Sequence, residues 1–302
     1  MAKVDYSEYM VNNPAYEAVA KIDIRGRQHP PMTYMSNRLV PGCNMYIELG
    51  WIYDIPEPNP HIFEHSHDYD EIVLHIGGDP DNPRELGGEI EYYLSGQPLR
   101  LDTTTALFVP KGVKHGPIVW KKFTSPHIEM SIILGPASAG ETWSGNGSVQ
   151  PTKENDVDYE KYLVRNPDCL EGTEVTEAIK SPAHIYVSSK LIPGCNNYID
   201  FGWISEMPEP NPPIPNHSHD YEEVVMLIGG DPKNPEELGA GLEFCIDGQP
   251  LAFDTTTAVY APRGIDHGPL TWKRVDRPHL LMPIIIGAGT LEEAAPAGYT
   301  GR

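Results

Sequence analysis

"EHSHDYDEIVLHIGGDPDNPRELG" runs from Glu64 to Gly87, and "NHSHDYEEVVMLIGGDPKNPEELG" runs from Asn216 to Gly239. Two histidines, a tyrosine and a cluster of carboxylates are thus written twice in one chain. The repetition extends well beyond this stretch. "LVPGCNMYIELGW" (Leu39–Trp51) answers "LIPGCNNYIDFGW" (Leu191–Trp203), and "SGQPLRLDTTTALFVPKGVKHGPIVWKK" (Ser95–Lys122) answers "DGQPLAFDTTTAVYAPRGIDHGPLTWKR" (Asp247–Arg274). The offset is 152 throughout (His65 to His217, His115 to His267) and becomes 153 at the arms "DYSEYMVNNP" and "DYEKYLVRNP". A period this long, used twice, marks two complete domains, since solenoid units are usually ~20–50 residues.

The small, polar stretch Gly135–Asn155 is of linker type. It places the expected domains at residues 1–148 and 149–302. Within each half, β-type runs such as "EIVLHI", "EIEYYL", "ALFVP" and "SIILG" are separated by the turn signals "GGDPDNP", "SGQP" and "PKG". Each half therefore reads as mostly β, a sandwich or barrel. The arms Tyr6–Ala20 and Tyr159–Ile179 read as partly helical.

The chain has 302 residues, 39% of them hydrophobic, which fits a globular protein. Its formal net charge of −21, from 43 acidic and 22 basic residues, repels nucleic acid and anionic membrane surfaces and favours solubility. The start, "MAKVDYSEYM", carries no apolar signal core, and no run is long and apolar enough to span a bilayer. The four cysteines, Cys43, Cys169, Cys195 and Cys245, form no C-x-x-C pair, so a reducing cytoplasm is expected. The sequon at Asn146 is read as chance, in the absence of a signal peptide.

The chemistry lies in the opening stretch. Side chains on a strand alternate faces, so residues at i, i+2 and i+6 share one side. His65, His67 and Glu71 have that spacing, as do His217, His219 and Glu223. A further histidine, His115 or His267, follows 44 residues after each glutamate. It comes just after "VPKG" (Val109–Gly112) or "APRG" (Ala261–Gly264), where Pro second and Gly fourth suit a type I turn. Such a turn would aim the last imidazole at the spot shared by the other three groups. Clustered His and carboxylate side chains are the signature of a metal site.

H-x-H-x-x-x-E followed by P-x-G-x-x-H resembles the two sequence motifs of the cupin superfamily, and the duplication resembles a bicupin. The resemblance covers about Pro41–Gly135 and Pro193–Gly287. It implies an all-β fold of tandem double-stranded β-helix (jelly-roll) barrels, with the arms bracing each. It further implies one divalent metal per barrel, Fe or Mn favoured and Ni, Zn or Cu possible. The implied ligands are His65, His67, Glu71 and His115 in one barrel, and His217, His219, Glu223 and His267 in the other. A small organic substrate follows, with dioxygenase-like oxidation and non-redox lyase or isomerase chemistry both open. A non-catalytic metal- and small-molecule-binding cupin is the alternative, and a homodimer is compatible with the family. The chain departs from the family pattern in places. Thr104 and Thr256 replace a Gly of the second motif, Val119 and Thr271 replace an Asn, and the segment between motifs is lengthened by "GDPDNPRELG" and "GDPKNPEELG".

Other repeated positions are less committed. His127 and His279 are open to substrate contact or core packing. Tyr69 and Tyr221 fall on the strand face opposite the ligands and are assigned to outer packing. Glu91 and Glu243 could be inward acid–base groups or outward carboxylates. Tyr92 aligns with Phe244 and Tyr93 with Cys245, so the two pockets would differ if these line them. His61 answers Pro213 and His75 answers Leu227, which excludes both histidines from a shared mechanism.

Overall fold

The computed structural model describes residues 4–17, 24–135, 150–169 and 183–294. In chain order the first strands are β1 (Met10–Val11), β2 (Arg25–Arg27), β3 (Met32–Met35), β4 (Tyr46–Glu57), β5 (Asp70–Gly77), β6 (Glu85–Leu94) and β7 (Gln97–Thr103). β8 (Thr105–Val109), β9 (His115–Phe123) and β10 (His127–Leu134) complete the first repeat. The second comprises β11 (Leu163–Val164), β12 (Asp168–Cys169), β13 (His184–Val187), β14 (Asn197–Ile204), β15 (Glu222–Gly229), β16 (Glu237–Ile246) and β17 (Gln249–Thr255). It ends with β18 (Thr257–Ala261), β19 (His267–Val275) and β20 (His279–Ile286).

In the first repeat a large antiparallel sheet, β11-β8-β5-β10-β4-β2 with β3 on β4, is matched by the three-stranded sheet β7-β6-β9. Val73, Leu107 and Val109 of the large sheet pack with Ile90, Tyr92, Leu101 and Trp120 of the small one, forming a single core. The second repeat builds the same pair, β1-β18-β15-β20-β14-β13-β12 and β17-β16-β19. This is the all-β jelly-roll barrel expected, made twice. Alternation explains the outer sheets: in β7, Leu99 and Leu101 are buried while Pro98, Arg100 and Asp102 are exposed. β5 is flanked on both edges and reads instead as a continuous buried run.

The chain divides into two compact units, Pro14–Asn166 and Met1–Asn13 with Pro167–Arg302. Each arm therefore belongs with the barrel of the other repeat, a placement that the repeat register does not reveal. β1 pairs with β18, and β11 pairs with β8. Each arm opens with one 3₁₀ turn, Tyr6–Tyr9 or Tyr159–Tyr162, capped by Asp5 or Asp158, whose carboxylate accepts from the amide two residues on. Gln249 and Gln97 then accept from the amides of Tyr6 and Tyr159. The rest of each arm that is described, residues 10–17 and 163–169, is strand or irregular and not helical, and residues 18–20 and 170–179 fall outside the described residues.

The threonines that depart from the family motif have a visible use. Thr104 Oγ1 accepts from Gly77 N at 2.9 Å and donates to Pro83 O at 2.6 Å, stitching the lengthened loop to the end of β5. Thr256 does the same with Gly229 and Pro235. The turns before His115 and His267 sit one residue later than expected. Val113 N bonds Pro110 O, and Gly112 takes φ +76° as the third turn residue, a conformation that favours glycine.

Candidate metal centres

The eight sequence-derived candidates gather into two clusters, though not on one strand face each. β5 and β15 begin only at Asp70 and Glu222, so the two leading histidines of each set lie on the irregular segment before the strand. That segment is anchored by a two-way backbone bridge. His65 N bonds His115 O at 2.9 Å and His115 N bonds His65 O at 2.8 Å; His217 and His267 repeat it. Glu71 and Glu223 are the second residues of their strands, and His115 and His267 open β9 and β19.

Ring centroids of His65 and His115 are 4.1 Å apart, and those of His67 and His115 are 4.8 Å apart. Glu71 Oε2 lies 3.4 Å from His67 Nε2 and 3.3 Å from His115 Nε2. In the second barrel the donor atoms of His217, His219, Glu223 and His267 all lie within 4.8 Å of one another, as do those of His65, His67 and His115 in the first. Glu223 Oε2 is 3.0 Å from both His219 Nε2 and His267 Nε2.

The decisive detail is on the far side of each ring. All six imidazoles direct Nδ1 at a backbone carbonyl: His65 at Phe63 O, His67 at Tyr69 O, His115 at Val113 O, His217 at Pro215 O, His219 at Tyr221 O and His267 at Ile265 O, at 2.8–3.0 Å. A carbonyl only accepts, so each Nδ1 carries its proton and each neutral ring presents the Nε2 lone pair inward. Three lone pairs and a carboxylate then converge, an all-acceptor cluster that calls for a cation at its centre. His115 Nε2 is buried without an aligned hydrogen-bond partner, which leaves its lone pair for such a cation. The residues therefore fit a divalent ion held by three imidazoles and one carboxylate, with carbonyls fixing the tautomers from behind.

The electrostatics agree. Burial alone would raise the Glu71 carboxyl, but the His115 and His67 rings hold it well below the usual carboxylate range. The same balance leaves Glu223 at about 2. Burial, aided by His115, lowers His65 to about 4, so that this ring is neutral near pH 7, with its one proton on Nδ1. At His67 burial pulls downward, but the hydrogen bond and charge of Glu71 outweigh it and leave the ring raised.

Beside the first cluster lies a cavity of about 40 Å³ lined by Arg27, Tyr46, Glu48, Glu129, Ser131 and Tyr92 among others. Sequence reasoning singled out only Tyr92 of these. The missed signal is a charged or hydroxyl residue inside an apolar strand: Glu48 in "MYIELGW", Glu129 and Ser131 in "IEMSIIL". Tyr46 Oη donates to Glu48 Oε2 at 2.8 Å, and burial raises the Glu48 carboxyl. Ser131 Oγ donates to the second oxygen of Glu71 at 2.5 Å. Arg27 Nε lies 2.8 Å from Glu129 Oε2, with both side chains 6% exposed. The second barrel has Tyr198 and Asp200 at the Tyr46 and Glu48 positions, the latter raised by burial to about 7. At the positions of Tyr92, Glu129 and Ser131 it has Phe244, Leu281 and Pro283.

The remaining candidates resolve as follows. His127 and His279 are fully buried and accept from Trp120 and Trp272 Nε1 at 3.3 and 2.9 Å, so they are core wedges. Glu91 and Glu243 face outward in ion pairs with Lys121 and Lys273. Tyr93 is bonded to Glu91 on that same outward face, and Cys245 shares the outward row in β16. Tyr69 and Tyr221 are not outer packing: Tyr221 stacks on His219 at 3.9 Å, because the preceding segment is not a regular strand and strand alternation does not apply to it. Cys43 and Cys195 are buried thiols directed at Met45 O and Asn197 O.

No protein-family model and no curated protein sequence matches the chain. Solved structures do. AerE from Microcystis aeruginosa superposes with a TM-score of 0.54 at 14% identity, covering 93% of this chain and 99% of that one. A point mutant of Bacillus subtilis oxalate decarboxylase OxdC gives 0.54 at 11% identity, covering 86% and 74%. A further structure of the Bacillus subtilis oxalate decarboxylase, whose subject is its Mn(II) centres, gives 0.54 at 11%, covering 86% and 74%. The chain shares the fold of these neighbours, two all-β jelly-roll barrels in tandem. Among the described residues no helix is long and apolar enough to cross a membrane.

Proposed function

We propose that the chain is a divalent-metal-dependent enzyme acting on a small organic molecule in its first barrel. The observation that carries this reading is the six-fold pinning of Nδ1 to backbone carbonyls, which leaves each cluster as a ring of acceptors around a common centre. His65, His67, Glu71 and His115 would hold one ion, and His217, His219, Glu223 and His267 another. Mn is supported by the Mn(II) centres named for the oxalate decarboxylase neighbour, with Fe the other favoured choice. When bound, such an ion acts as Lewis acid and template for an oxygen-bearing substrate.

The first barrel is assigned the chemistry because its polar groups face the cluster from within the barrel. Ser131 fixes the Glu71 carboxylate. Glu48 has one oxygen pinned by Tyr46, while its other makes no hydrogen bond among the described residues and is free to exchange a proton with a bound molecule. Burial raises that carboxyl above its ordinary value, which suits it to proton transfer with a bound substrate, as lyase or isomerase chemistry requires. The second reading, a metal-binding site without turnover, applies to the second barrel, where Phe244, Leu281 and Pro283 replace Tyr92, Glu129 and Ser131 although Tyr198 and Asp200 keep the pair matching Tyr46 and Glu48. A cytoplasmic setting, consistent with thiols rather than disulfides at Cys43, Cys195 and Cys245, belongs to the proposal.

The test is an assay panel of small hydroxy, keto and dicarboxylic acids with the Mn-loaded and Fe-loaded protein, followed by NMR and oxygen consumption. Substrate change without oxygen uptake supports the reading. Oxygen uptake would replace it by oxidation, and inertness of both metal forms across the panel would contradict it.

A further inference from the structure

The side of the first cavity away from the cluster is built around Arg27. Gly26 makes this possible: it takes φ +76° in a bulge of the β2–β4 pairing, and a Cβ there would lie 2.7 Å from Ile55 O. The bulge carries Arg27 to the barrel wall opposite Ile52, where its side chain is 6% exposed. Glu129, set between Gly50 and His75 on the neighbouring strands, is the acidic group that meets it. The pair is 2.8 Å apart, yet Arg27 Nε and Glu129 Oε2 both lack an aligned hydrogen bond. Arg27, Glu129 and Tyr92 all line the cavity, with the guanidinium and the phenol on the same chamber as His65, His67 and Glu71.

A guanidinium is always charged and offers a planar fork of donors, and buried donors of this kind are normally filled. The geometry points to Arg27 as the anchor for the carboxylate of a small acid, whose remaining oxygen faces His65, His67, Glu71 and His115. This deepens the reading given under Proposed function and rests on it for the metal end alone. Charge is compatible with an anion: Arg27 offsets Glu129, a divalent ion exceeds Glu71 by one unit, and burial raises the Glu48 carboxyl. Size narrows the class further. The cavity of about 40 Å³, which His65, His67 and Glu71 also line, favours a small acid over a bulky one. In the second barrel the Glu129, Tyr92 and Ser131 positions are Leu281, Phe244 and Pro283, so the anchor is a property of the first barrel.

The experiment is calorimetric titration of the full-length, Mn(II)-loaded chain with glycolate, lactate and glyoxylate, and with glycolamide as the uncharged counterpart. The acids are expected to bind at least tenfold more tightly than glycolamide. Arg27→Gln is expected to lose at least tenfold in affinity for the acids. Because it leaves Glu129 buried without its counter-charge, the double change Arg27→Gln with Glu129→Gln is measured beside it, and is expected to show the same loss in a folded protein. Equal affinity for glycolamide, or acid binding that survives the double change, overturns the assignment. Metal content is read separately on the same samples. A chain that takes up no ion yet binds glycolate through Arg27 keeps the anchor and loses the metal reading. A chain that loads metal and binds none of the acids does the reverse.

Discussion

His75 is fully buried on the inner row of β5, and neither of its ring nitrogens has a hydrogen-bond partner. Burial, with a contribution from the Arg27 charge, lowers it to about 3. The second barrel has Leu227 at this position, also fully buried, so His75→Leu substitutes a residue that the same fold already accommodates. In the unfolded chain His75 titrates near 6.5, and in the folded chain only near 3. A depressed folded value means that the stability contribution is complete above about pH 6.5 and is lost as pH falls toward the folded value. Between about pH 7 and about pH 5 the unfolded chain takes up about three quarters of a proton at this site and the folded chain takes up almost none. The resulting loss is about 2 kcal/mol. Urea unfolding of wild type and His75→Leu at these two pH values isolates the term, since every other titrating group is shared. Wild type should lose about 2 kcal/mol more than the variant. At pH 7 the variant should be equal or more stable, because two unbonded buried nitrogens are gone. Equal acid losses in the two proteins would refute the reasoning.

Three further outcomes follow from particular contacts. Ser131→Ala removes the hydrogen bond to Glu71 and should weaken metal binding in the first barrel about tenfold in a chelator competition, leaving the second barrel, which has Pro283 there, unchanged. Thr104→Val leaves Gly77 N and Pro83 O without their partner and should cost about 2–3 kcal/mol in urea unfolding; an unshifted midpoint would remove the role assigned to this threonine. Metal affinity should fall as pH drops from about 8 to about 6, because protons compete for His67 and His267, whose rings are held raised by Glu71 and Glu223 after burial is offset. His65, at about 4, adds nothing to that slope, and a pH-independent affinity would contradict the assignment of these rings as ligands.

The repeat made most of the fold legible, because two copies of one spacing separate the constrained positions from the accidental ones. His65, His67, Glu71 and His115 are recognisable by their counterparts 152 residues on. That same reasoning hid the working end of the first cavity. Arg27, Glu129 and Ser131 have no matching partners among the described residues of the second repeat, and so carry no repeat signal. For Glu129 and Ser131 the cue is a different one, a polar side chain within an apolar strand, which marks an inward-facing group only once the strand face is known, and Arg27, in the polar strand Arg25–Arg27, lacks even that. The strand-face argument for the histidines reached the right cluster by the wrong route. The backbone bridge between His65 and His115, a contact between residues distant in sequence, brings them together. Arm placement was likewise out of reach, since "DYSEYMV" and "DYEKYLV" are alike enough to pair with either β8 or β18.

Metal stoichiometry of the purified chain, measured by mass spectrometry of its elements alongside His67→Ala and His219→Ala, tests the central claim most directly. Two divalent ions per chain in wild type and one in each variant is the result this account predicts. A wild-type chain that stays folded and takes up no ion, or variants that retain the full complement, would contradict it.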